Sequence, residues 1–195
     1  MPRGLARDHA DKRAHIRERA AAYFAERGFD RASMAGAARA CGVSKALLYH
    51  YHASKEALLH DILETHLSDL VAIVESVGEA EPEPRLRRLI AAILDAYRDA
   101  DAEHKLQLDA LATLPPELRQ PLVTLQRRLV AIVADALSAH RPDLGDDRIR
   151  ALAMSVFGML NWFFLWHRPD RDMARESYAG LVADLVLGGL PAVRS

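Results

Sequence analysis

The amino-acid sequence predicts an all-α fold of about nine helices, and three observations carry that prediction. Apolar residues recur at three- and four-residue spacing in nearly every segment, the period of a helix face. No stretch alternates apolar and polar residues as a half-buried strand does. Serine, glycine and proline fall where the periodic segments begin and end.

The elements follow in chain order. Ile16, Ala20, Tyr23 and Phe24 make the apolar face of a first helix, closed by Gly28. Ser33 carries a short hydroxyl suited to the unpaired amides of a helix start, and caps a short second helix ending near Cys41–Gly42. Ser44 caps a third helix through about Tyr51. Ser54 caps a fourth, whose stripe of Leu58, Leu59, Ile62, Leu63, Leu67, Leu70, Val71 and Val74 runs to about Gly78. Residues 78–84, rich in acid and proline, read as a linker. Leu86, Leu89, Ile90, Ile93, Leu94 and Tyr97 mark the next helix, and a weaker one follows through Leu114. Pro115–Pro116 stops it, and Pro116 suits the first turn of its successor, where a missing N–H is harmless. That long helix carries Leu118, Leu122, Leu125, Leu129, Ile132, Val133 and Leu137. After a turn over 141–145, two helices at roughly 147–166 and 172–189 are separated by residues 168–170.

Composition narrows the function. Half of the 195 residues are hydrophobic, enough for a substantial core. No run of eighteen apolar residues occurs, and the first twenty positions are charged, so neither a membrane partner nor a secretory signal is expected. The single cysteine, Cys41, excludes an intramolecular disulfide framework and fits a reducing cytoplasm. Net charge is −1, but residues 1–60 hold eleven Lys and Arg against six Asp and Glu. A basic N-terminal part on an acidic remainder points to a polyanion for the former, or to an ordinary solvated surface.

The informative stretch is Ser33 to Lys55, SMAGAARACGVSKALLYHYHASK. Two short helices flank Gly42, where a tight turn needs a backbone tolerant of positive φ. Ala37, Ala38 and Cys41 are small enough for a close crossing, to which Val43 and Leu48 add apolar contact. This is a helix-turn-helix at about 33–52, whose second helix enters a major groove. Its exposed face presents Lys45, Ala46, Tyr49 and His50, and its free N–H groups near Ser44 suit a backbone phosphate. Lys55, in the first turn of the fourth helix, opposes that helix's own dipole, and a phosphate would relieve the conflict.

Here the chain resembles the TetR family of one-component regulators. The resemblance lies in Gly28-Phe29, Ser33-Met34, Ala37-Ala38, Cys41-Gly42-Val43-Ser44, Leu48-Tyr49-His50-Tyr51 and Ser54-Lys55-Glu56-Ala57-Leu58. It covers roughly residues 12–65. It implies that Ser33, Ser44, Lys45, Tyr49, His50 and Lys55 contact double-stranded operator DNA, mostly at phosphates. It also implies a nine-helix homodimer whose last two helices pair with their mates. Two positions depart from the family: His52 replaces a usual Phe, and Leu47 replaces a frequent Thr that touches DNA in relatives. Leu47 in the groove suits a thymine methyl; the alternative is internal packing. Cys41 reads as a small core residue, with a thiol sensor as the rival.

The expected organisation is a DNA-binding domain over 1–54 and an effector-binding and dimerisation domain over 55–195. The run Val156–Trp166 is apolar on almost every side yet too short for a bilayer, so it should be buried all round. Leu160, Phe164, Leu181, Val182, Leu185, Val186 and Gly189 are the expected dimer residues. Tyr97, His104, Leu108, Phe157, Asn161 and Trp162 are the expected effector contacts, each also readable as plain core. Asn161-Trp162 followed by Arg168-Pro169 resembles members that answer to acyl-CoA or other lipid-like carboxylates.

An enzyme is the rival class. The nine histidines are scattered, and no H-E-x-x-H, CxxC, GxSxG or P-loop pattern occurs, so no catalytic residue, metal or cofactor is expected. A helical carrier without DNA binding would have no use for the basic, capped helix pair. Lys55→Ala is expected to weaken binding to all sequences alike, and His50→Ala to alter preference as well.

Overall fold

The computed structural model describes residues 3–78, 81–168 and 170–194, with side chains from His9 onward. Residues 79 and 80 of the expected linker and Pro169 lie outside the described residues, as do the side chains of Arg3, Arg7 and Asp8. Among the described residues every regular element is helical: α1 (Arg3–Arg27), α2 (Met34–Ala40), α3 (Lys45–Tyr51), α4 (Lys55–Ser76), α5 (Pro82–Ala96), α6 (Asp101–Asp109), α7 (Pro116–His140), α8 (Asp146–Asn161), α9 (Phe163–Trp166) and α10 (Arg175–Gly189). Only Trp162 separates α8 from α9, so the count is nine when the two are taken together.

One expectation about boundaries needs correction. The linker is shorter than residues 78–84, because α5 already begins at Pro82 and holds Pro84 in its first turn. First-turn amides have no partner within the helix, so prolines there break nothing. The span Asp146–Trp166 is 21 residues long and apolar enough, by length and composition, to cross a membrane, whereas the run from Val156 alone is too short. Its buried residues Ile149, Ala153, Val156, Phe157 and Leu160 keep three- and four-residue spacing, the stripe of a core helix.

Packing divides the chain into two compact units, Met1–Leu67 with Ala102–Val123, and Ser68–Asp101 with Thr124–Ser195. The expected division at residue 54 separates roles; the units put the first half of α4 and all but the first residue of α6 with the N-terminal helices. In the first unit Ile16, Ala20, Ala21 and Phe24 of α1 are fully buried, and Phe24 meets Phe29 edge-on at 5.4 Å. Tyr23 of α1 packs on α2 at Gly36, where a Cβ would overlap the tyrosine hydroxyl. In the second unit Leu86, Leu89, Ile90, Ile93 and Leu94 of α5 are buried, and α5 packs on α8 and α10.

Candidate nucleic-acid interface

The geometry of α2 and α3 follows from their caps. Ser33 is extended (φ −130°, ψ 155°), and its hydroxyl accepts from the Gly36 amide at 3.1 Å. Gly42 turns the chain at φ +65°, a conformation that a Cβ would disfavour. The Val43 amide donates back to the Ala38 carbonyl at 3.0 Å, tying the turn to α2. The Ser44 hydroxyl then accepts from the Leu47 amide at 3.1 Å and starts α3. Each cap satisfies an amide that the helix cannot.

Within α3 only Leu48 is fully buried, the rib that seats the helix. Lys45, Ala46, Tyr49 and His50 are exposed, and Leu47 lies half-buried between the two faces. The Lys45 ammonium stands 5.7 Å from the Tyr49 ring centroid, one turn along, and the pair makes a single polar-aromatic ridge. Ser33 and Ser44 are exposed beside it.

Lys55 is placed differently from expectation. Its ammonium donates to the carbonyls of Phe29 at 2.8 Å, Ala32 at 3.3 Å and Asp30 at 3.4 Å, and lies 4.3 Å from the Phe29 ring centroid. The awkward charge in the first turn of α4 is thus met by three backbone oxygens of the α1–α2 connection, without need of a phosphate. The side chain clamps the start of the helix pair.

A buried charge cluster behind α3 is absent from the sequence-based expectations. Asp61 is 6% exposed, yet it accepts two bonds from Arg13, at 2.6 and 3.1 Å, with Arg17 at 3.6 Å. His52, at the C-cap of α3, has its Nε2 3.7 Å from the same carboxylate. The imidazole's pKa is lowered by burial; Asp61 works against that shift, and Arg13 and Arg17 add to it. A signal is present in the spacing, since Asp61 falls three residues after Leu58 and next to Ile62, on the apolar face of α4. Cys41 is a core residue: its thiol donates to the Ile16 carbonyl at 3.6 Å, and burial raises its pKa, which opposes thiolate chemistry.

Residues 16–62 match the family model of bacterial regulatory proteins of the tetR family, and residues 79–190 match the tetracyclin repressor-like C-terminal domain. The chain belongs to the TetR family. This TetR-family chain is 28% identical over 191 residues to the HTH-type transcriptional repressor KstR2 of Mycobacterium tuberculosis strain H37Rv, with 92% of each covered. A TetR-family transcriptional regulator from Bordetella parapertussis 12822 superposes with a TM-score of 0.85 at 37% identity, over 94% of this chain and 97% of that one. AibR, solved in complex with isovaleryl coenzyme A and operator DNA, gives a TM-score of 0.80 at 28% identity, over 89% and 97%. The protein is a transcriptional regulator of this family, and its relatives are regulators, not enzymes.

The expected effector residues of the TetR-family chain divide between the two compact units. In the second unit the Tyr97 hydroxyl donates to Asn161 Oδ1 at 3.0 Å, and Tyr97 and Phe157 are buried. Trp162 is 63% exposed, because it caps α8 with its ring turned outward, and so it lines no interior. His104 and Leu108 lie on α6 in the first unit; Leu108 is exposed, and His104 is buried with its ring 6.3 Å from that of His66. Burial, and then the charge of His104, lower the His66 pKa to about 4. An open cleft of about 670 Å³ between α5 and α10 is lined by other residues, among them Arg87, Ala91, Arg175, Ala179 and Ala183.

The expected dimer residues divide as well. Leu160 and Val182 are fully buried in their own subunit and have no surface left to offer a partner. Leu181, Leu185 and Gly189 are exposed, Phe164 and Val186 partly so. Met154, Trp162, Leu165 and Trp166 add exposed apolar side chains on α8 and α9, none of them among the expected dimer residues.

Proposed function

We propose that this TetR-family regulator is a homodimeric repressor that grips a near-palindromic operator through α3 and is released by a largely apolar effector. The observation that carries the DNA assignment is the division of α3 into one buried rib, Leu48, and an outward ridge of Lys45, Ala46, Tyr49 and His50. With Ser33 and Ser44 beside it, that ridge supplies donors for phosphates and flat side chains for base edges. Two such helices related by a dimer axis would sit in successive major grooves, about 34–36 Å apart. Fluorescence anisotropy with genome-selected duplexes tests this: binding should weaken steeply with salt, with a log–log slope of about −0.9 per phosphate neutralised. Salt-insensitive or absent binding would remove the proposal.

The effector assignment rests on the second compact unit. The part-buried Tyr97–Asn161 hydrogen bond sets a phenol beside an amide, a pair suited to orient one carbonyl or carboxylate of an otherwise apolar molecule. AibR, similar to this chain over most of its length, was crystallised with isovaleryl coenzyme A. That supports an acyl-CoA or related carboxylate as effector. Release follows only to the extent that the effector favours the state that does not fit the operator. A thermal-shift screen of acyl-CoAs, aromatic acids and cationic drugs tests it, with stabilisation by the anionic acyl compounds expected. Stabilisation by the cations alone would overturn it.

A further inference from the structure

The first compact unit carries a basic cavity that the helix-turn-helix does not account for. Arg27 at the end of α1, Arg31 in the α1–α2 connection and Arg39 in the last turn of α2 line one cavity of about 450 Å³ with Tyr23 and Glu26. Glu26 leaves these five residues with two positive charges in excess. Among the described residues none of the three arginines lies in an ion pair with a carboxylate. Three guanidinium groups converging on one concavity repel one another unless an anion enters it.

The cavity is shaped by the chain. Tyr23 lies on α2 because Gly36 has no side chain to displace its hydroxyl. Arg39 projects three residues further along α2, from the same side of the helix. Arg31 folds back over the chain, its Nη2 3.5 Å from where a Cβ of Gly28 would stand. It precedes the Ser33 cap by two residues, at most about 7 Å of extended chain. Ser33 in turn begins α2 of the same helix-turn-helix.

We infer that this cavity seats a backbone phosphate of the duplex held by α3, with Arg31 and Arg39 as its donors. The inference rests on the DNA-binding reading above and extends its footprint beyond the recognition helix. Arginine's planar fork matches phosphate oxygens in pairs. The lining is made of charged and phenolic side chains and is predominantly polar, with little apolar surface to hold the carbon skeleton of a phosphorylated metabolite. That favours a phosphate presented by a duplex over one carried by a free molecule.

The test is the salt dependence of binding to a 30-bp duplex of fixed sequence, for the full-length protein and for the double variant Arg31→Ala/Arg39→Ala. Losing one phosphate contact should reduce the log–log slope by about 1, so the slope of the double variant should fall by about 1 per subunit. Arg31→Lys/Arg39→Lys should keep most of the slope, and Arg127→Ala, exposed on α7 in the other unit, should leave it unchanged. Thermal melting of each variant separates weakened DNA binding from unfolding. An unchanged slope in a folded double-alanine variant overturns the assignment. So does stabilisation of the wild type by inorganic tripolyphosphate with no change of slope in the variant, which would make the cavity a site for a free phosphate. Failure of the wild type to bind any duplex at low salt would instead sink the DNA-binding reading itself.

Discussion

His52 ends the recognition helix with an imidazole, and burial makes its charged form unfavourable. Its pKa in the fold lies below the ordinary value of about 6.5, so above that pH folded and unfolded chains are both neutral there. As pH falls below it, the unfolded chain takes up a proton that the folded one resists, and stability is lost. Asp61 moderates the effect, but its oxygens are shared with Arg13 and Arg17. His52→Phe should therefore remove part of the stability lost between pH 7.5 and 5.5 in urea denaturation. His66, shifted in the same direction, keeps its own share. Equal acid losses in variant and wild type would contradict this account. Lys55 offers a second residue-scale prediction. Its three carbonyl bonds make Lys55→Ala a fold variant: the melting temperature should fall by several degrees, for a loss of about 1–3 kcal/mol. The salt slope of DNA binding should stay as it was. A reduced slope without a change in melting would restore Lys55 as a phosphate contact.

At the scale of elements, the crossing of α1 and α2 is held close by the pairing of Tyr23 with Gly36. Glycine inside an exposed helix is usually improved by alanine, by about 1 kcal/mol. Here the new methyl would collide with the tyrosine ring, so Gly36→Ala should be worse in the wild type than in a Tyr23→Ala background. A double-mutant cycle should give a coupling of about 0.5–3 kcal/mol, and zero coupling would refute the close approach. This element also shows what the sequence can disclose. The helix-turn-helix is legible because its signals are local: Ser33 and Ser44 as caps, Gly42 at the turn and Leu48 as the buried rib all act within a few residues. Lys55 misleads because its partners lie more than twenty residues away, where only the fold brings them. Pro82 and Pro84 look like a linker because proline marks both a break and a first turn. Asp61 looks like one more surface acid because its partners sit on another helix. Leu160 and Val182 read as dimer residues because an apolar side chain looks alike in sequence whether its neighbour is its own subunit or a second one.

For the whole molecule, the exposed apolar side chains of α8, α9 and α10 are what a partner would cover. Leu185, 59% exposed, and Leu181, 41% exposed, stand on α10. A carboxylate there would be buried unpaired in the proposed dimer, at a cost of several kcal/mol. Leu185→Asp should yield a monomer by analytical ultracentrifugation and lose operator affinity, while its melting curve changes little. A variant that stays dimeric would place the seam on another face. Cys41 carries a different consequence for the intact protein. Its sulfur is sealed between the first two helices, so alkylating reagents reach it only when those helices part. The rate of labelling is therefore a native stopwatch for the opening of the DNA-reading head. A duplex that binds only the closed head stabilises it against opening, so the same stopwatch should run slower with operator bound.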